Sequence, residues 1–275
     1  MSIFQELVLL HIPLEEYMPF CNISIDEQGI AVIEINNPPM NVISTEVLIN
    51  LQDRVTEALK NDKIRVIIFI GAGNSFIAGA DIKEIENCIT KEEALKYMQV
   101  GQELMNVIEN ANKPSIAAIN GIAVGGGLEF ALACHMRVAC SEAKIGFPEI
   151  KLGLIPGFGG TQRTPRLFGK ALTYELILTG DLITAEEALV LGVINKVAPN
   201  GSILDVAKEL AAKIAAKGRP AVSAALDVIR YGTRMDIMNA QALEREKFSI
   251  LCETDNKKEG VSAFLEKRKP KPIDS

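Results

Sequence analysis

On either side of Gln28-Gly29, Asn22–Ile25 alternates polar and apolar residues and Ile30–Ile35 is apolar but for Glu34, as expected of a β-hairpin. From Ser44 to Lys60 the apolar positions recur at helical spacing. RVIIFI (65–70) and SIAAI (115–119) are instead short, unbroken apolar runs, suited to strands covered on both faces. Between them Thr90-Lys91-Glu92-Glu93 is a capping box, in which Thr and Glu satisfy each other's backbone amides at a helix start. That helix runs toward Asn110 and stops at Lys113-Pro114. Further strands are predicted at Met136–Ala139 and Val193–Val197, with a second capping box at Thr184-Ala185-Glu186-Glu187 between them. After Ser202 the strand signals cease: ILDVAKELAAKIAAK is helical in pattern, Gly218 ends it, and Pro220 suits the opening of the next helix. The chain thus divides into a lead-in (1–20), a mixed α/β core (21–200) and a helical C-terminal region (201–275).

Two stretches of the core share one plan. VIIFIGAGNSFIAGADI (66–82) and SIAAINGIAVGGGLEF (115–130) each read as buried strand, glycine, short connection, small residues and helix. Each would present backbone N–H groups in a tight turn or at a helix start, where amides lack intrahelical partners. Side by side, two such units could aim two donors at one point.

The plain reading of Gly125-Gly126-Gly127 is a tight strand-to-helix connection. A dinucleotide site fails, because after Gly71-Ala72-Gly73 the GxGxxG fingerprint needs glycine where Phe76 stands, and no Walker A sequence is present. An oxyanion hole fits better: glycine admits close approach to the backbone, and amides at a helix start favour negative charge. Such a site needs an acid or base beside it. Glu129, among Leu128, Phe130, Ala131 and Leu132, and Glu149, in IGFPEIKLGLIPG, are both set in apolar surroundings. Taken alone, Glu129 reads equally well, and Glu149 rather better, as a carboxylate stabilised at a helix start or turn. Together they supply groups whose pKa burial can raise into the range of acid–base work, one acting as acid and the other as base. Asp81 reads as a helix-start residue. With only His11 and His135 there is little material for a Ser/His or Cys/His nucleophile and less for a zinc site.

Composition narrows the setting. With 48% apolar and 23% charged residues over 275 positions, an ordinary globule is expected. A net charge of −6 argues against nucleic acid and anionic membranes as partners, although the tail EKRKPKP (266–272) is locally basic. The five cysteines form no metal-ligand spacing and suit a reducing compartment. The N-terminus places no Lys or Arg before its apolar residues, and no apolar run approaches a membrane span, so a cytoplasmic protein is expected.

FIAGADIKEI, KPSIAAINGIAVGGGLEFALAC, FPEIKLGLIPGFGGTQRTPRLFGK, LTGDLITAEEALVLGVINKV and EGVSAFLEKRK, in this order from about residue 21 to about 270, resemble the enoyl-CoA hydratase/isomerase (crotonase) family. The resemblance implies a crotonase-like spiral of ββα-type units with a helical C-terminal trimerisation region, self-associating as a trimer or dimer of trimers. It implies a coenzyme A thioester as substrate, with no metal or redox cofactor. Carried onto matching positions, the Ala80 and Gly126 amides form the oxyanion hole. Glu129 activates the water that attacks C3, Glu149 delivers the proton to C2, and the Gly157 backbone helps to position the water. CoA would lie along NNPPMN and the FIAGAD turn, at Ala78, Asp81 and Ile82, with the Ala78 carbonyl near the adenine. Phe248 and, from a neighbouring subunit, Phe264 and Lys267 would complete its adenine and phosphate contacts.

Both glutamates being present favours a 2-enoyl-CoA hydratase, running in reverse as a 3-hydroxyacyl-CoA dehydratase. An enoyl-CoA isomerase and a non-catalytic acyl-CoA-binding protein are the alternatives. Two positions depart from the family's usual wording: NNPPMN at the CoA mouth, and His135 where many relatives have Asp.

Overall fold

The computed structural model describes residues 20–271, so the lead-in's first nineteen positions, with His11, lie outside the described residues. Among the described residues ten strands form two sheets: β1 (Cys21–Ile25), β2 (Ile30–Ile35), β3 (Val66–Gly71), β4 (Ser75–Ile77), β5 (Ser115–Ile119), β6 (Ile122–Val124), β7 (Met136–Cys140), β8 (Lys144–Gly146), β9 (Leu182–Thr184) and β10 (Lys196–Ala198). The larger sheet has the order β1-β2-β3-β5-β7-β10 and the smaller β4-β6-β8-β9. The chain steps from one sheet to the other within each successive unit: β3 to β4, β5 to β6, β7 to β8. The expected hairpin of β1 and β2 forms, and every further pairing of the larger sheet is parallel.

The continuous apolar runs become the inner strands for a simple reason. Parallel strands covered on both faces have no solvent side on which to place a polar residue. All five residues of β5 are buried, as are five of the six in β3. The helix Gly126–Ala133 touches strands of both sheets, and all eight of its residues are buried. It carries no polar stripe because it has no exposed face. Phe130 anchors it, lying edge-to-face on Phe69 at 5.0 Å and tilted against Phe76 at 6.1 Å.

Both capping boxes form, at Thr90/Glu93 and Thr184/Glu187, and Asp81 caps the helix Ile82–Asn87 through the Lys83 amide. Three expectations shift. The third strand–strand–helix unit, β7–β8 with the 3₁₀ turn Pro148–Leu152, repeats the plan read only twice in the sequence. The strand expected over Val193–Val197 is Lys196–Ala198, because the Val193 and Ile194 amides both bond to the Ala188 carbonyl and close the preceding turn. Finally, the helix Ile203–Ala215 packs on β2, β3, β5 and β7 through Ile203, Ala207, Ala211 and Ala215. Only the helices after it stand off: Arg219–Gly232 and Ile237–Cys252 bury no residue, and Asp255–Leu265 buries Ala263 alone. No described helix is long and apolar enough to cross a membrane.

Candidate active site

Glu129 sits in the buried helix Gly126–Ala133 and is 1% exposed. Its Oε1 accepts a hydrogen bond of 2.6 Å from the Gly160 amide, at the start of the helix Gly160–Phe168. A helix start supplies unpaired amides and positive potential, and the Gly160 amide is the strongest partner of this carboxylate, with the Phe158 backbone a weaker one. Burial nevertheless dominates and pushes the Glu129 carboxyl up to about 8, opposed by the Gly160 amide and reinforced by the charge of Glu149.

Glu149 opens the 3₁₀ turn Pro148–Leu152 and is half-buried. Its Oε2 is buried without a hydrogen-bond partner among the described residues, and burial raises its pKa as well. Its Oε1 lies 2.7 Å from where a Gly125 side chain would begin, so this carboxyl rests on the backbone just before the Glu129 helix. A buried polar atom left unpaired costs about 1–3 kcal/mol and marks a place for substrate or water.

The two turns paired by the internal echo lie side by side, Ala80 in one and Gly126 in the other. Ile43 donates to the Gly79 carbonyl at 2.8 Å and accepts from the Asp81 amide at 2.8 Å. In that parallel bridge the groups of the intervening residue point away, which leaves the Ala80 amide unpaired among the described residues. The Tyr97 hydroxyl secures the arrangement by donating to the Ile43 carbonyl at 2.9 Å. Gly126 is the first residue of its helix, so its amide also lacks an intrahelical acceptor. A Cβ on Gly126 would stand 3.5 Å from the Ala80 nitrogen.

NNPPMN folds onto the same turn. The Ala78 amide donates to the Met40 carbonyl at 3.1 Å, and buried Asn41 ties the Ala72 and Ser75 carbonyls at 2.9 Å each. Ala78, Asp81 and Ile82 lie together beside the Ala80 amide, Ile82 being 57% exposed. Gly157 precedes the Glu129-holding turn, its carbonyl accepting from Gln102 at 2.7 Å. Phe248 and Phe264 stand on the C-terminal helices, 67% and 82% exposed, and Lys267 follows them with φ 55°. His135 lies away from the glutamates in its bonding: its Nδ1 accepts from the Ser115 amide, and burial with Arg230 and Arg137 holds it down to about 4, neutral at physiological pH. Among the described residues no group of His, Cys, Asp or Glu is placed to hold a metal.

Sequence reasoning missed Phe158, Gly160 and Arg163, although all three lie in the quoted GFGGTQR segment. Phe158 packs at 3.2 Å from where a Gly126 Cβ would be and edge-on to Tyr97 at 5.5 Å, joining the oxyanion side of the site to the Glu129 side. The available signal was the glycine pair Gly159-Gly160 before a helix, the same sign that drew attention to residues 125–127.

The raised pKa has a consequence for stability. In the unfolded chain Glu129 releases its proton near the ordinary glutamate value of 4.5, whereas the folded protein keeps it to about 8. Between those values the native state binds more protons, so stability falls as pH rises through the window, by at most about 1.4 kcal/mol per pH unit. Glu129→Gln removes this term and can still accept from the Gly160 amide. Thermal denaturation should show little difference between variant and wild type at pH 4.5 and a widening advantage for the variant up to pH 8. A constant gap across that range would refute a neutral, buried Glu129.

Two desolvated carboxyls, one on the Gly126–Ala133 helix and the other against its Gly125 lead-in, thus lie on the same run of strand–strand–helix units as the Ala80 and Gly126 amides. Residues 26–273 match the family described as enoyl-CoA hydratase/isomerase. A crotonyl-CoA hydratase of Syntrophomonas wolfei is 41% identical over 92% of this chain and 98% of that protein. A short-chain-enoyl-CoA hydratase of Clostridium acetobutylicum is 39% identical over 92% and 97%. The crystal structure of an enoyl-CoA hydratase from Bacillus anthracis superposes with a TM-score of 0.88 at 36% identity, covering 92% of this chain and 98% of that one. The chain belongs to the enoyl-CoA hydratase/isomerase family.

Proposed function

We propose that the protein is a 2-enoyl-CoA hydratase, adding water across the C2=C3 bond of a trans-2-enoyl-CoA, and in reverse a 3-hydroxyacyl-CoA dehydratase. The observation that supports this reading is a buried Glu129 on the helix that Gly126 opens, with the Glu149 carboxyl against the preceding Gly125 and the Ala80 nitrogen 3.5 Å from where a Gly126 Cβ would stand. The thioester oxygen would accept from those two amides, which stabilise the enolate as negative charge moves onto it; removing one such donor typically costs about 10²–10³ in rate. In hydration Glu129 takes a proton from the water attacking C3, with the Gly157 backbone helping to hold that water, and Glu149 gives a proton to C2. In dehydration the roles reverse. Each direction needs one proton on the pair. Hydration draws on the form that carries it on Glu149, dehydration on the form that carries it on Glu129, and the high Glu129 value makes the second form the more populated. No metal or redox cofactor enters.

CoA would run from the Ala78–Ile82 turn along NNPPMN. Phe248, with Phe264 and Lys267 of a neighbouring subunit, would meet the adenine and phosphates. The apolar residues left exposed on the C-terminal helices, among them Ile229, Ile237, Met238 and Val261, support self-association as a trimer or dimer of trimers.

The test is loss of the enoyl-thioester absorbance with crotonyl-CoA, followed across pH. A bell-shaped kcat profile is expected: activity declines on the acid side as the pair takes a second proton, and on the alkaline side as the last proton leaves near the Glu129 value of about 8. No absorbance loss with crotonyl-CoA or with longer and branched enoyl-CoAs would overturn the hydratase reading in favour of double-bond isomerisation or plain acyl-CoA binding.

A further inference from the structure

We propose that Arg163 is a positioning residue for Glu129: its guanidinium locks the Phe158–Gly160 turn that presents the Gly160 amide to the carboxylate. The inference rests on the acid–base reading of Glu129 given above. Arg163 belongs to the helix Gly160–Phe168 and is only 8% exposed. A guanidinium so buried must find partners for its N–H groups, and it finds them on three sides. Nη1 donates to the Phe158 carbonyl at 2.9 Å, Nη2 to Asn106 Oδ1 at 2.8 Å, and Nε to Glu109 Oε2 at 3.0 Å. Asn106 and Glu109 lie on the long helix Lys91–Glu109, so the turn is fixed from outside its own segment.

Backbone geometry makes this clamp specific. Gly159 has φ 110°, and a Cβ there would fall 2.3 Å from Arg163 Nη1. Only glycine lets the guanidinium lie flat over the turn while the next amide, that of Gly160, points at Glu129. The planar fork engages all three acceptors at once, which an ammonium cannot. Without the clamp the Phe158 carbonyl is free to rotate, and the Gly160 amide rotates with the turn. Glu129 then loses its Gly160 donor and the weaker help of the Phe158 backbone, and the Phe158 ring loses its seat against Gly126. The charges that act on Glu129 are Glu149, which raises its pKa, and Arg163, which lowers it. Arg163 is itself paired to Glu109, which Arg234 also approaches at 3.6 Å.

The experiment compares wild type with Arg163→Met, which keeps the stem's bulk, and Arg163→Lys, which keeps the charge but not the fork. Steady-state hydration of crotonyl-CoA should show kcat falling roughly 10²-fold in Arg163→Met, the order of loss that follows from slight misplacement of a reacting group. KM should change little, and the alkaline limb of the kcat profile should move to higher pH. Arg163→Lys should recover part of the rate. Independently of turnover, infrared titration of the buried carboxyl band, assigned by its absence in Glu129→Gln, should place that proton's release at higher pH in Arg163→Met. An unchanged band and an unchanged pH profile would overturn the proposal, as would losses proportional to the unfolded fraction. If Arg163→Met does not fold, the same two readouts on Arg163→Lys decide it. A wild type with no hydratase activity but a band that shifts in the variant would sink the hydratase reading and leave the positioning role standing.

Discussion

Glu129→Gln should give a folded protein in which hydration of crotonyl-CoA is slowed roughly 10²–10⁴-fold, the usual contribution of a positioned acid or base. The glutamine side chain has nearly the same shape, and its amide oxygen can keep the 2.6 Å hydrogen bond from Gly160 that Glu129 makes. What it loses is the ability to take a proton from water. Glu149→Gln should lose activity on the same scale, because the C2 proton then has no donor. Its effect on stability should be smaller, since Glu149 is only half-buried. Joint dependence on both residues separates hydration from the alternatives. A double-bond isomerase that shuttles one proton through one carboxylate would keep most of its rate in one of the two variants. Steady-state kinetics of both, at the wild-type pH optimum and with circular dichroism as a check on folding, decides between them. If either variant retains more than about a tenth of wild-type kcat, two-carboxylate catalysis is wrong.

How much of this was legible in the sequence depended on the distance over which each feature is determined. Both capping boxes, the Asp81 cap and the long buried strands are local matters, set by residues within one turn or one apolar run. They formed where expected. β4, β6 and β8 have three residues each, too few to show a period, and their existence is fixed by parallel partners far along the chain. Val193-Ile194 looked like part of a strand because burial, not β pairing, is what an apolar pair reports. Arg163 is the clearest case. In GGTQRTPR it reads as a surface cation, yet it is buried because Asn106 and Glu109, on a helix more than fifty positions earlier, accept from it together with the Phe158 carbonyl. The two glutamates were visible because a carboxylate in an apolar run has no cheap explanation. The Gly160 amide that holds one of them was not, because a backbone donor carries no residue letter.

The glycine triplet raises the sharpest question, since its members look alike in sequence and are needed for different reasons. Gly125 has φ 53°, and a Cβ there would fall 2.7 Å from Glu149 Oε1, so a side chain is barred both by backbone strain and by the carboxyl. Gly127 is helical, but its Cβ would lie 2.0 Å from the Ile77 carbonyl oxygen of β4. No flexible tip can move aside there, and Gly127→Ala should destabilise by about 1–3 kcal/mol or more as β4 is pushed away. Gly126 is different. Its backbone is helical, alanine there is favoured by up to about 1 kcal/mol in helix propensity, and its Cβ would meet the buried Phe158 ring at 3.2 Å, which asks that ring to give by a few tenths of an ångström. That same Cβ would stand 3.5 Å from the Ala80 nitrogen. An oxygen accepting from Ala80 sits about 2.9 Å from that nitrogen, so methyl group and oxyanion would compete for one volume. Gly126→Ala should therefore melt within a few degrees of wild type while kcat/KM for crotonyl-CoA falls on the order of 10²–10³-fold, the scale of a lost oxyanion donor. Gly127→Ala should show the converse, a marked fall in Tm with activity tracking the folded fraction. Thermal melts and kinetics of the two variants, measured side by side, test this division directly. Equal losses of stability in both would mean that Gly126 is there for packing alone, and that the oxyanion lies elsewhere.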